Sequence, residues 1–167
     1  QIARQRGCWV AGTASRDDKV TRAKAWGLDA GYNYKRENLP ERVLADTNGQ
    51  GVDVGLMTIG EETAMALFDS MGQGGKVVMY GSTGGRQVCF SLNIGTRNIE
   101  LHSMSISTSP RFMPETMTSF REIALPLFEQ GVFKPVLDVV LPVTGLKRAH
   151  EMIDERTHFG KIVLRVD

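Results

Sequence analysis

A run of small and charged residues, Gly12-Thr13-Ala14-Ser15-Arg16-Asp17-Asp18-Lys19, follows a short apolar segment. Ser15 offers a hydroxyl, Arg16 a planar guanidinium and Lys19 an ammonium, a donor set suited to a phosphate. In nucleotide-binding β-α-β units an Asp or Glu near this point accepts hydrogen bonds from ribose hydroxyls. Here no acid ends the apolar segment. Arg16 is the expected phosphate partner on physical grounds, because its fork matches phosphate geometry. The same charges also read as a solvated helix face balanced by Asp17 and Asp18, and both readings stay open.

A second group follows two later apolar runs. Gly60 and Gly81 each lie just past such a run, Thr58 precedes the first of them, and Ser82 and Thr83 follow the second. Ligands of open α/β sheets collect at the carboxyl ends of strands, where these residues are expected. The glycines read equally as tight turns. Ser82 and Thr83 can donate hydrogen bonds, but neither has a neighbouring base that would make it a nucleophile. Asp53 reads as a structural cap. His102, His150 and His158 lack metal-ligand spacing, and Cys8 and Cys89 form no zinc signature, so no metal is expected here. The two cysteines are expected as buried free thiols, with one disulfide as the alternative. No catalytic acid or base can be assigned.

The elements that must position these groups alternate. A helix tail over Ile2 to Gln5 is closed by Gly7, and Cys8 to Ala11 reads as a strand. Asp17 to Trp26 reads as a helix with Ser15 as N-cap and Val20, Ala23 and Trp26 near one face. A strand over Ala30 to Tyr34 precedes a helix starting at Leu39-Pro40, which ends before Gly49-Gln50-Gly51. Val52 to Met57 reads as a buried strand, Glu61 to Met71 as a helix and Lys76 to Tyr80 as a strand. Further on come a strand from Ile99 to Ile106 and a helix from Pro114 to Gln130, kinked at Pro126. Strands over Val136 to Leu141 and Lys161 to Val166 flank a helix from Leu146 to about Arg156. Met65, Met71 and Met79, and the side of Phe120, Ile123, Leu127 and Phe128, are expected to fill the core. This alternation predicts a parallel sheet covered by helices on both faces.

The chain has 167 residues, enough for one sizeable domain but not two full ones. A formal charge of +1 gives no argument for nucleic acid or an acidic membrane surface. No apolar stretch is long enough to cross a bilayer. A cytoplasmic location is expected from the cysteine usage.

Several segments occur together in one order: Gly7-Cys8-Trp9-Val10, Ala23-Lys24-Ala25-Trp26-Gly27, Asn33-Tyr34, Gly49-Gln50-Gly51-Val52-Asp53, and Gly74-Gly75-Lys76-Val77-Val78 with Gly81. Pro135, Ala149-His150-Glu151 and Phe159-Gly160-Lys161-Ile162-Val163-Leu164 complete the set. On these the chain resembles the medium-chain dehydrogenase/reductase family, in its quinone oxidoreductase-like, zinc-independent branch. The resemblance implies an α/β, Rossmann-type doubly wound parallel sheet over residues 1–134. Residues 135–167 would return toward a catalytic domain. It also implies that the N-terminal catalytic domain, the first Rossmann strand and its glycine loop precede Gln1. The strands over 8–11 and 52–57 are then expected to leave a gap between them or to host a strand from elsewhere.

By the same resemblance, Lys19 and Tyr34 match positions that hold the adenosine 2′-phosphate, with Ser15 in support. NADP(H) is therefore favoured over NAD(H). The Gly81-Ser82-Thr83 turn would lie beside the nicotinamide ribose. The implied activity of the parent protein is NADPH-dependent hydride transfer to a small-molecule quinone, enone or related carbonyl substrate, with no nucleic acid or membrane partner. The hydroxyl-rich stretch Ser103 to Ser109 would support a homo-oligomer, as a dimer contact. The alternatives are a nucleotide-binding or oligomerisation fragment without independent activity, and a zinc-dependent alcohol dehydrogenase-like enzyme.

Overall fold

A computed structural model describes residues 1–58, 61–81, 89–105 and 113–166, except the side chains of 61 and 62. The chain divides into two compact units, Gln1–Met117 and Thr118–Asp167.

In the first unit, helix α1 (Ile2–Gln5) leads to β1 (Ala11–Ala14), α2 (Asp17–Lys24), β2 (Ala30–Asn33) and α3 (Leu39–Asp46). Then follow β3 (Val52–Met57), α4 (Glu61–Ser70), β4 (Met71–Met79), α5 (Asn93–Thr96) and β5 (Glu100–Ser103). Strands β1 and β2 pair in parallel, Ala11 to Ala30 through Ala14 to Asn33. A separate parallel sheet has the order β3-β4-β5. Strands β1 and β3 are not paired with each other. Parallel strands joined through helices make this an α/β fold consistent with a Rossmann-type nucleotide-binding architecture.

Several local choices explain these boundaries. Helix α3 starts where Asn38 accepts a hydrogen bond from Glu41 N and Pro40 occupies the first turn. Strand β1 begins three residues later than its apolar run predicts. Val10 N is held by the Asp29 side chain at 2.8 Å rather than by a ladder, and Cys8 N bonds back to Ala3 O. Ser15 does not cap α2. Arg16 is the N-cap residue, without a side-chain cap bond, and Asp17 and Asp18 instead supply negative charge to the first turn. Strand β4 starts five residues earlier than the β-rich run, because Met71 pairs with Val52 before a bulge returns Lys76 to Val54.

The β3–β4 junction is close enough to require glycine. A Cβ on Gly51, at φ +77°, would lie 2.7 Å from backbone atoms of Ser70, Met71 and Gly72. That approach brings α4 over the sheet, where Met57, Ala64, Phe68, Met71, Val77 and Ile99 form a buried cluster. Tyr32, Leu39 and Val43 form a second. The helices cover the side of β3 that carries Gly55 and Met57. The other side is open: Val54 is 58% and Leu56 65% exposed, against the expectation of a strand buried on both faces. Met65 is also exposed, while Met71 is buried and Met79 packs partly against the cluster, so only the last two fill core space. Cys8 and Cys89 are both exposed and unbridged, which corrects the buried-thiol expectation; each lies outside the covered strand segments.

The helix expected over 114–130 forms as α6 (Met113–Ser119), a π-helical turn over Phe120–Ala124 and α7 (Leu125–Glu129). Pro126 has no N–H to donate to the carbonyl four residues back, and the widened turn precedes it. Its apolar side is not core: Phe120, Ile123 and Phe128 are exposed. In the second unit, β6 (Leu137–Pro142) and β7 (Lys161–Arg165) pair in parallel around a 3-10 turn and α8 (Leu146–Asp154).

Candidate functional site

The carboxyl ends of β1 and β2 carry the first set of candidate residues. Tyr34 N donates to Ala14 O at 3.1 Å, which brings Tyr34 beside the turn holding Ser15 and Arg16. Lys19 follows on α2, partly buried and engaged in interactions of its own. Lys35 Nζ lies 5.4 Å from the Tyr34 ring centroid, a cation–π contact. Ala14 ends β1, so the strand end bears no carboxylate.

Arg16 faces an acid. Its Nε donates to Asp18 Oδ1 at 2.8 Å and its Nη2 to Oδ2 at 3.4 Å. The hydrogen bond, with the opposite charge behind it, raises the Arg16 guanidinium from its ordinary value. The hydrogen bond from Arg16 likewise lowers the Asp18 carboxyl. Both side chains are exposed, so this is a screened surface pair.

A second network was not visible in the sequence. Asp17 Oδ1 accepts from Asn33 Nδ2 at 2.5 Å, and its Oδ2 accepts from Arg36 Nη1 at 2.5 Å. Asn33 is buried, its N donating to Glu37 Oε1 at 2.7 Å and its Oδ1 accepting from Lys35 N at 3.1 Å. Glu37 in turn pairs with Arg42. Asp17 and Arg36 lie 19 positions apart. Only the register Ala14 to Asn33 could have revealed their meeting.

The ends of β3 and β4 form the second cluster. Tyr80 N donates to Met57 O at 3.1 Å, so Thr58 and Gly81 meet just past the ladder. A Cβ on Gly81 would approach Thr58 O to 3.2 Å and Thr58 Cα to 3.5 Å. A hydrogen at position 81 therefore keeps the two turns in contact. Gly60, Ser82 and Thr83 lie outside the described residues. Each cluster sits at carboxyl ends of parallel strands, and the two belong to different sheets.

The remaining titratable groups make local contacts. His102 Nε2 lies 3.0 Å from Glu100 Oε2, with Lys76 at 3.6 Å, and the His102 hydrogen bond lowers the Glu100 carboxyl, helped by the Lys76 charge. His158 Nδ1 is 3.2 Å from Met152 O, and His150 is exposed on α8. Asp53 is exposed. Among the described residues no group of three or more His, Cys, Asp or Glu is placed to hold a metal ion. No described helix is long and apolar enough to cross a membrane.

Over 173 residues the chain is 28% identical to the quinone oxidoreductase of Salmonella typhimurium, covering 98% of this chain and 51% of that protein. A crystal structure of an NAD-dependent alcohol dehydrogenase superposes with a TM-score of 0.83 at 29% identity, over 99% of this chain and 46% of that one. The quinone oxidoreductase of Thermus thermophilus, solved also in complex with NADPH, gives 0.81 at 25% identity, over 99% and 52%. The chain thus spans about half the length of the relatives it matches. The family described as zinc-binding dehydrogenase matches residues 1–129. The chain belongs to that family.

Proposed function

We propose that this chain is most of the nucleotide-binding part of an NADPH-dependent oxidoreductase whose whole protein reduces a quinone, enone or related carbonyl. The observation that carries this reading is the Tyr34 N to Ala14 O hydrogen bond of 3.1 Å. It sets Tyr34 beside the turn that holds Ser15, at a strand whose last residue, Ala14, is no acid, and Lys19 follows in the first turn of α2. Such an end lacks the carboxylate that accepts ribose hydroxyls and has donors for a phosphate in its place. The likeness to quinone oxidoreductases, one of them solved with NADPH, supports the same cofactor. The fit is one of donor chemistry: a hydroxyl, an ammonium and a phenol beside the N-terminus of α2.

When bound, the cofactor supplies a hydride to the electrophilic carbon of the substrate. This chain's own residues hold and orient. Lys19 and Tyr34 would hold the 2′-phosphate, with Ser15 in support and Arg16 as a further cation. Gly81 and Thr58, with Gly60, Ser82 and Thr83, would line the cofactor's nicotinamide end. No residue of this chain is assigned as acid or base. Residues 135–167 would form the return toward the catalytic domain. The hydroxyl-rich stretch Ser103 to Ser109, of which residues 106–109 lie outside the described residues, would contribute to a homo-oligomer contact. A cytoplasmic setting suits two unbridged cysteines.

Fluorescence titration of the complete protein with NADPH and NADH tests the reading. Tighter binding of NADPH, and NADPH oxidation dependent on an added quinone or enone, are expected. Absence of nucleotide binding by the complete protein would overturn it. Activity that tracks bound zinc in elemental analysis would favour an alcohol dehydrogenase-like enzyme instead.

A further inference from the structure

Arg36 stands in the turn after β2 and reaches back to the first turn of α2, where Nη1 donates to Asp17 Oδ2 at 2.5 Å. The contact joins the carboxyl ends of two paired strands, the same ends that carry Ser15 and Tyr34. Two features make this guanidinium transferable. Its side chain is 71% exposed and that of Asp17 60%, so water screens their attraction and holds Arg36 weakly. Asp17 also keeps a second donor, Asn33 Nδ2 at 2.5 Å on its other oxygen, so departure of Arg36 leaves the carboxylate partnered.

Arg16 differs. Its Nε and Nη2 both address Asp18, one carboxylate oxygen for each nitrogen, in a pair that is likewise exposed but offers Arg16 two contacts to Arg36's one. An anion arriving at the start of α2 meets the helix N–H groups and their partial positive charge. It also comes to lie next to the carboxylate on which Arg36 rests. A phosphate dianion is a stronger partner for a guanidinium than a screened, shared carboxylate.

From these contacts we propose that Arg36 is a specificity-determining residue for the nucleotide's 2′-phosphate, resting on Asp17 until the phosphate binds. Asp17 is then a positioning residue that keeps the guanidinium at the strand ends and competes with the phosphate for it. This role rests on the NADPH reading above and sharpens which cations enforce it.

Calorimetric titration of the complete protein with adenosine 2′,5′-bisphosphate and with 5′-AMP separates the phosphate contact from the rest of the adenosine site. Arg36→Met is expected to weaken the bisphosphate about tenfold while leaving 5′-AMP unchanged, as loss of a charge-assisted contact requires. The salt dependence of bisphosphate binding should shrink in the same variant. Arg36→Lys should restore part of the loss. Asp17→Asn, which removes the competitor and keeps a polar group for Asn33, should tighten the bisphosphate and not 5′-AMP. Equal losses for both ligands in Arg36→Met, or no change for either, would overturn the role. If the wild type prefers the bisphosphate, and that preference falls in Lys19→Ala but survives in Arg36→Met, the NADPH reading stands and the Arg36 role fails. A wild type with no preference for the bisphosphate removes both.

Discussion

The phenol of Tyr32, buried on β2, donates to Asp46 Oδ2 in the last turn of α3 at 2.7 Å. Burial and then the hydrogen bond to Asp46 raise the Tyr32 pKa well above the ordinary tyrosine value. The folded state therefore binds the phenolic proton more tightly than the unfolded chain. Its contribution to stability is complete below the unfolded value of about 10 and is lost as pH rises beyond it. Urea midpoints should decline above that pH in the wild type and decline less in Tyr32→Phe. At neutral pH that variant should lose about 1 kcal/mol, the net worth of one such hydrogen bond.

The Gly51 junction separates backbone strain from collision. Gly49, at φ +80°, has open space around a Cβ, whereas Gly51, at φ +77°, would press a Cβ on the backbone of residues 70–72. Gly49→Ala is expected to cost about 1–2 kcal/mol from conformation alone. Gly51→Ala should cost more, roughly 2–4 kcal/mol, because backbone on both sides must shift. Equal denaturation midpoints for the two variants would contradict the close approach.

Phe68 is fully buried in the cluster between α4 and its sheet, while Leu92 is 90% exposed. Phe68→Ala should destabilise by about 3–5 kcal/mol through the cavity left behind. Leu92→Ala should stay within about 0.5 kcal/mol of the wild type. Thermal or chemical unfolding of the protein carrying each substitution distinguishes them.

Lys19→Ala addresses the cofactor reading. Removal of an ammonium from a 2′-phosphate should raise the NADPH dissociation constant about tenfold and leave NADH nearly unchanged. Equal losses for the two nucleotides would reject Lys19 as a phosphate ligand.

Much of the order of elements was legible in the chain itself. Val52 to Met57 is a strand with the predicted bounds, and Leu39-Pro40 opens α3 as proline's fit to the first turn requires. Gly7, Gly27 and Gly49 correctly follow the ends of α1, α2 and α3, because such signals act within a few residues, whereas Gly12 lies inside β1. Burial was less legible. Val54, Leu56 and Phe120 are apolar yet exposed, since periodicity gives the face on which a side chain stands and not what covers that face.

The division between sequence and tertiary structure is clearest around residues 14–36. Residue types alone determined that hydroxyls and cations follow an apolar run with no acid at its end; they placed that end at Ala11, and folding carried the strand on to Ala14. Folding decided how those cations are engaged. Pairing of β1 with β2 sets Asp17 against Asn33 and Arg36, and the helix turn sets Asp18 against Arg16. A contact between residues 19 positions apart depends on strand register, which no local pattern encodes. The sequence therefore named the charges, and the fold chose their partners.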